Sequence, residues 1–448
     1  MELRMNINTY TVNTRVICSV LLLIFVAGEG IGQSNMSTYA GGLSAPIGIE
    51  IDHRGWIWVA EQGTGNDDSR VSVVTSENQV TPFITGLPSG LNAQGEVTGT
   101  NHVYFNDKGE LLIVQGEGTD SLSQAILVMD TTGFTPGSAP LGHDAIKAFY
   151  KLGDFVHDAG FAESNPYTLT VGPEGDLFIA DAAANAVLRR DSATGDLSVF
   201  ATYPNVSNNT GIGPPMIQAV PTGIVFRDSI FAIGTLTGFP FPDGAASIYK
   251  TDLSGTTSLL IDNLTTVVDV TLDGEGRLLF LQHGAHQPPP PFAPNTGLLL
   301  RSTSGVIDTL ATGLNRPTGI RSLSETEIYV STLIEGEVVQ IQLTSTAVDA
   351  PSSLLPEGVV LEQNFPNPFN PSTTIRYHLS GNEYARLTIY DLEGKRITTL
   401  TDGHQTEGWH TIRWNGQNHA GEMVSAGMYL YRLVTESRVK TKKMVYLK

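Results

Sequence analysis

Short apolar and β-branched runs separated by polar turns recur along most of the chain, and helical periodicity is nearly absent. One unit reads Pro46 to Ile51, a polar turn ending at Gly55, then Trp56 to Glu61. The pattern returns at His102 to Gln115, Tyr167 to Asp181, Pro221 to Gly234, Val268 to Gln282 and Pro317 to Ser331, which makes six copies. Each copy predicts a hairpin, because two strand-like runs flank a turn rich in Asp, Asn or Gly. Gly55, Gly109, Gly175 and Gly276 mark four of these turns, and Asp228-Ser229 and Glu325-Thr326 take their place in the fourth and sixth copies. Further strands such as Val187 to Arg190 and Leu197 to Ala201 follow between copies, so each unit predicts four strands. A repeat of roughly 47 to 66 residues is too long for a β-helix coil, and six units are too many for one sandwich. The fold class expected is all-β: a six-bladed β-propeller over residues 33–343, followed by a second β module.

The ends of the repeat predict how the ring closes. Most blades finish on an outer strand that runs into Gly-Leu, as at Thr81 to Leu87 and Asp308 to Leu314, but the last stops at Val338 to Leu343. The missing strand is expected at the other terminus, where Ser37 to Leu43 carries the same outer-strand pattern. Residues 344–358, polar with proline, read as a linker. Residues 359–448 are again β-patterned, with strands expected at Thr373 to Leu379, Ala385 to Asp391, Arg396 to Thr401, Gly408 to Trp414, Gly427 to Val434 and Lys440 to Leu447. That set predicts an Ig-like β-sandwich with Trp414 and Tyr429 in its core. Ala145 to Leu152 is the one stretch that suggests a short surface helix.

The N-terminus changes the picture. Arg4 and Arg15 precede an apolar run from Val16 to Ala27, followed by Gly28, Gly30 and Gly32, which predicts a signal peptide over residues 1–32. No later run is long enough to span a membrane, so the mature chain is expected to carry no transmembrane segment. The single cysteine, Cys18, lies inside the apolar run, so disulfides, thiolate metal sites and a cysteine nucleophile are excluded from the mature chain. Residues 34–350 carry 13 Lys and Arg against 34 Asp and Glu, whereas residues 351–448 carry 11 against 9. An acidic propeller repels phosphate backbones, so nucleic acid is not an expected partner.

Two family resemblances rest on particular phrases. The repeat resembles NHL-type propellers, and Ser164 to Tyr167 together with Leu236 to Ala246 resemble the ScyD/ScyE family of secreted propellers. That family implies the fold and export but no reaction. The opening phrase of the second module, Asn364, Phe365, Pro366, Asn367, Pro368, Phe369, Asn370 and Pro371, resembles the start of a type IX secretion type A sorting domain. The likeness continues through Ile389 to Gly394, His410 to Gly416, Ser425 to Leu433 and Lys442 to Lys448. It implies delivery through the outer membrane, with the type IX machinery as partner of residues 359–448 and the propeller secreted or held at the cell surface. Prolines at 366, 368 and 371 restrict the phrase to extended or turn states, which suits a recognition element.

Candidate chemistry is searched for at the mouth of the channel, where one loop from each blade converges. Glu61, Asp181 and Asn185 leave the second strands of their hairpins and are the candidate ligands of a divalent cation, with calcium suggested by their hard oxygens. Glu117, His157, Phe239 and Phe241 are the candidate ligand-binding residues. His283 and His286, with His102, His143 and His157 elsewhere, offer too few close ligands for zinc. Gly-x-Ser-x-Gly, a phosphate loop and His-Glu-x-x-His are absent from the sequence. The expectation therefore leans away from an enzyme: a secreted or surface binding or scaffold module, with a metal-assisted hydrolase or lactonase as the alternative.

Overall fold

In the computed structural model the described residues are 34–286, 292–303, 305–344 and, apart from short gaps, 359–447. The signal peptide expected over 1–32, nearly all of the linker, and Phe365, Pro366 and Pro368 of the opening phrase lie outside them.

Six four-stranded antiparallel sheets account for the first unit. Their first strands are Pro46–Ile51, Thr100–Phe105, Pro166–Val171, Pro221–Arg227, Val267–Leu272 and Pro317–Ser322. Each of these lies beside the first strand of the next sheet, and that of sheet 6 lies beside that of sheet 1. The arrangement is six-bladed and propeller-like, with the first strands innermost. Second strands such as Ile57–Glu61, Leu111–Gln115 and Leu177–Asp181 are buried along their whole length, because neighbouring blades cover both faces. They read as continuous apolar runs for that reason. Outer strands such as Thr257–Leu264 are largely exposed. The core lies between blades: Trp58 and Phe83 of blade 1 pack with Val103, Ile113 and Leu127 of blade 2.

The inner hairpins owe their turns to local chemistry. In blade 1 the Asp52 Oδ1 accepts the amides of Arg54 (2.8 Å) and Trp56 (3.1 Å), and Gly55 takes φ +80°. Asn106 and Asp273 hold their turns in the same way. Such a side chain satisfies turn amides that a strand no longer pairs.

The sixth sheet is completed from the N-terminus. Ser34–Gly41 pairs antiparallel with Glu337–Leu343, running from Ser34 opposite Leu343 to Gly41 opposite Glu337. The strand expected at Ser37 to Leu43 thus begins three residues earlier, and Leu43 falls past its end. One expectation is corrected. Ile146–Lys151 is the outer strand of blade 2, paired with Ala125–Met129, and the helix is Gly153–Asp158. Ile146 and Ala148 are half-buried while Lys147 and Phe149 are exposed, a period of two that belongs to a strand. The stretch from Gly116 to Ser164 therefore contains half of a blade.

The second unit is a β-sandwich. One sheet holds Val360–Leu361, Thr373–Leu379 and Gly408–Trp414; the other holds Arg396–Gln405, Glu383–Tyr390, Gly427–Thr435 and Val439–Tyr446. Trp414 and Tyr429 lie in its core as expected. The described part of the opening phrase is built into the domain. Asn364 is buried with its amide on the Tyr431 hydroxyl (2.8 Å), and Phe369 is buried against Trp414 and Tyr446. Among the described residues, no helix is long and apolar enough to cross a membrane.

Candidate functional site

The site begins with an irregularity that all six inner strands share. In each, the pairing register shifts between the first residue and the third or fourth: Pro46/Ile49, Thr100/His102, Pro166/Thr168, Pro221/Gly223, Val267/Asp269 and Pro317/Gly319. A bulge re-aims the side chains that follow it. The third positions are Gly48, His102, Thr168, Gly223, Asp269 and Gly319; the fifth are Glu50, Tyr104, Thr170, Val225, Thr271 and Arg321. Chemistry therefore enters at four of these places, on blades 1, 2, 5 and 6.

These four side chains meet. Arg321 Nε donates to Glu50 Oε2 (3.0 Å), its Nη1 to Asp269 Oδ2 (3.2 Å) and to the Ile320 carbonyl (2.6 Å), and its Nη2 to His102 Nε2 (3.2 Å). Asp269 Oδ2 also accepts the Ile320 amide (3.0 Å), and its Oδ1 accepts the Val270 amide (2.9 Å). Blades 2 and 5 are opposite in a ring of six, so His102 and Asp269 approach to 3.8 Å only on the ring axis. That separation is beyond hydrogen-bond range, and Asp269 acts on the ring as a charge. His102 Nδ1 lies 2.7 Å from the Val103 carbonyl oxygen, which only accepts. The proton therefore sits on Nδ1, and Nε2 offers its lone pair.

Burial and charge set the character of the cluster. His102 and Asp269 are buried, while Glu50, Tyr104, Tyr167 and Arg321 keep some exposure. Burial works to raise the Asp269 carboxyl, but the Arg321 charge and its hydrogen bonds outweigh burial and hold it below the usual carboxylate range. Burial likewise opposes the Arg321 charge, yet Glu50 and Asp269 hold its proton more firmly than usual. Tyr167, bulged from the blade 3 strand, has its phenol pushed up by burial and by the Asp269 charge. Its hydroxyl has no hydrogen-bond partner among the described residues.

Glu61, Asp181 and Asn185 lie at the end of their blades where second strands turn into third. Glu61 is buried within blade 1, accepting from Arg70 Nε (2.8 Å), Arg70 Nη2 (2.7 Å), Ser72 Oγ and the Ser44 amide (both 2.5 Å). Asp181 accepts from Ser164 Oγ (2.6 Å) and from the amides of Asn165 (2.8 Å) and Ala184 (3.1 Å), and burial still pushes its carboxyl up. Asn185 bridges the Tyr203 carbonyl and the Val220 amide. Each of the three ties its own loops, and among the described residues no three His, Asp or Glu side chains gather as a metal group. The donor set proposed for calcium therefore does not converge in this structure.

The ligand-binding candidates divide into separate places. Glu117 is half-buried on blade 2, pushed up by burial with Glu163 and Glu96 adding to it. His157 is exposed at the end of the helix Gly153–Asp158. Phe239 and Phe241 stand edge-on to each other at 6.2 Å and surround His286 at 5.9 and 5.6 Å, with Phe292 5.2 Å from Phe241. Behind them His283 is buried with Nδ1 on the Pro317 carbonyl (3.0 Å), and burial lowers its pKa to about 4.

Reading each copy alone singled out His102 only as one of several histidines and did not find Glu50, Asp269 or Arg321. Aligning the third and fifth positions of the six inner strands exposes all four.

Comparison with known proteins adds to the geometry. The FlgD Ig-like domain family matches residues 371–438. Among curated proteins, none matches the sequence. Solved structures with a similar fold include virginiamycin B lyase from Staphylococcus aureus, 14% identical, with a TM-score of 0.42 over 70% of this chain and 99% of that one. A gluconolactonase from Xanthomonas campestris is 10% identical, with a TM-score of 0.46 over 70% of this chain and 91% of its own. PorZ, a bacterial surface component of the type IX secretion system of Porphyromonas gingivalis, is 15% identical, with a TM-score of 0.34 over 92% of this chain and 51% of its own. At these values the likeness is one of fold, and no residue's role is transferred. The lean away from an enzyme is corrected: it rested on missing local motifs, and Glu50, His102, Asp269 and Arg321 meet from four blades without any such motif, so that absence is no ground for excluding catalysis.

Proposed function

We propose that this chain is an exported enzyme of the hydrolase or lactonase class, acting on a small ester or lactone that reaches the propeller channel. The observation that supports this reading is the convergence of Glu50, His102, Asp269 and Arg321 from four different blades. Gathering four ionisable groups in a buried place is costly, and other blades carry Gly, Thr or Val at the same positions. Ionisable groups whose protonation is shifted by charged partners are enriched at catalytic sites, and Asp269 and Arg321 are two such groups.

In this reading Arg321 Nη2 turns toward the substrate carbonyl oxygen, which frees His102 Nε2. That nitrogen takes a proton from a water molecule as the water oxygen bonds to the carbonyl carbon. The carbonyl electron pair moves to its oxygen and is held by Nη2. When the carbonyl re-forms, the bond to the leaving oxygen breaks, and that oxygen takes the proton from His102. One water is consumed and a hydroxy acid, or an acid and an alcohol, is released.

The test is acid release by the mature full chain from a panel of five- and six-membered lactones and aryl esters. Turnover is expected for at least one member, with kcat/KM lowered by about 10²–10⁴-fold in His102→Asn, the range typical of a lost general base. No turnover across the panel, or a His102→Asn chain as active as the parent, overturns the reading.

A further inference from the structure

The Arg321 guanidinium occupies the point at which three metal-type donors aim. Glu50 faces its Nε, Asp269 its Nη1 and His102 its Nη2, at 3.0, 3.2 and 3.2 Å. These donors stand around a wide planar cation and at hydrogen-bond length. A divalent ion needs its ligands at about 2.0–2.6 Å from a single centre. Glycine makes room for this packing: a Cβ on Gly48 would lie 2.4 Å from His102 Cδ2, and one on Gly319 would lie 2.5 Å from the Ile47 carbonyl oxygen.

The guanidinium also has capacity to spare. Arg321 carries five N–H donors, and its contacts to Glu50, Asp269, Ile320 and His102 use four. The fifth, on Nη2, has no partner among the described residues. The Tyr167 hydroxyl, on the inner strand of blade 3, is likewise without one. Tyr167 and Arg321 both keep some exposure, so neither donor is sealed in packed core.

We propose that Arg321 is the resident cation of this channel, doing the work a divalent ion would do: it binds the carbonyl or carboxylate oxygen of the ligand, with Tyr167 as a second donor, and the site needs no metal. The inference rests on the catalytic reading in placing the ligand in the channel, but it concerns recognition and stands or falls by binding. It defines the ligand class as small molecules with an exposed carboxylate or lactone carbonyl.

The experiment is calorimetric titration of the mature full chain, dialysed against EDTA, with 4-hydroxybutyrate, the opened form of the simplest five-membered lactone. Saturable binding is expected without metal, unchanged by added calcium. Arg321→Lys keeps the charge that Glu50 and Asp269 require but loses the planar fork, and is expected to weaken binding tenfold or more. Tyr167→Phe leaves every ion pair in place and is expected to weaken it several-fold. Binding that requires calcium, binding equally strong in both variants, or no binding of the carboxylate overturns the proposal. The two readings separate cleanly. Carboxylate binding without lactone turnover leaves this inference standing and removes the enzyme, whereas turnover that EDTA abolishes and calcium restores does the reverse.

Discussion

Asp269 commits both oxygens to backbone amides and one of them to Arg321, so removing its charge leaves the guanidinium with Glu50 alone. Breaking a buried pair from one side typically costs about 3–5 kcal/mol, and Asp269→Asn is expected to fall in that range in chemical denaturation. Because its folded carboxyl lies below the usual range, Asp269 stabilises the fold above its unfolded value of 3.8, and the contribution is lost as pH falls through the folded value. His283 acts over a higher window. Its folded pKa of about 4 lies below the free value of 6.5, so between those values the unfolded chain binds a proton that the native chain refuses. Stability therefore drops as pH falls from 6.5 to 4, by about 3 kcal/mol at most for a shift of this size. His283→Gln, compared with the parent across pH 7 to 4, is expected to flatten that part of the profile; an unchanged slope would show that His283 titrates normally. Neither residue announced its role in the sequence. In the sequence His283 is one of a pair with His286, and only the packing of Phe292 and the Pro317 carbonyl shows it as a buried, neutral ring.

At the scale of elements, the inner strands are held so close that side chains are excluded between them. A Cβ on Gly223 would lie 2.5 Å from the Val270 amide nitrogen and 2.8 Å from Asp269 Cα. Gly223→Ala must push blades 4 and 5 apart, at a cost of about 1–3 kcal/mol, and should lower Tm measurably. The shift also displaces Asp269, so Arg321-dependent ligand binding is expected to weaken with it. The closing strand is a second test. Ser34–Gly41 contributes the outer edge of blade 6, with Thr38 Oγ1 on Glu337 (2.8 Å) and the Tyr39 ring edge-on to Tyr329 at 4.9 Å. Deleting residues 34–43 leaves Glu337–Leu343 an open edge. Tm should fall by about 10 °C, at roughly 2 °C per kcal/mol for a domain of this size; an unshifted Tm would mean the strand is dispensable. Hairpins, turns and this closing strand were legible because each rests on local chemistry. The outer strand Ile146–Lys151 was not, since lysines and aromatics there suit a surface helix as well as an edge strand, and only its pairing with Ala125–Met129 decides between them.

The whole molecule couples an acidic propeller-like unit to a sandwich whose opening phrase is partly built into its own core. Asn364 and Phe369 are buried, so at these two positions the phrase holds the domain together rather than standing free for recognition. If the sandwich delivers the chain through type IX secretion, truncation after Leu343 should leave a folded propeller in the periplasm. Equal amounts of full-length and truncated chain in the culture medium would refute that role. The sequence by itself determined the number of blades, the hairpin turns, the closing strand and the two-part architecture, because these follow from alternation, turn residues and repetition that act over a few residues at a time. Only the tertiary structure decided where the charged side chains of the channel meet. Glu50, His102, Asp269 and Arg321 are up to 271 residues apart in the chain, and the ring brings them to one axis that no local pattern describes. It likewise gave Glu61, Asp181 and Asn185 their loop-binding partners, since whether a carboxylate is free or already engaged depends on neighbours that only folding supplies.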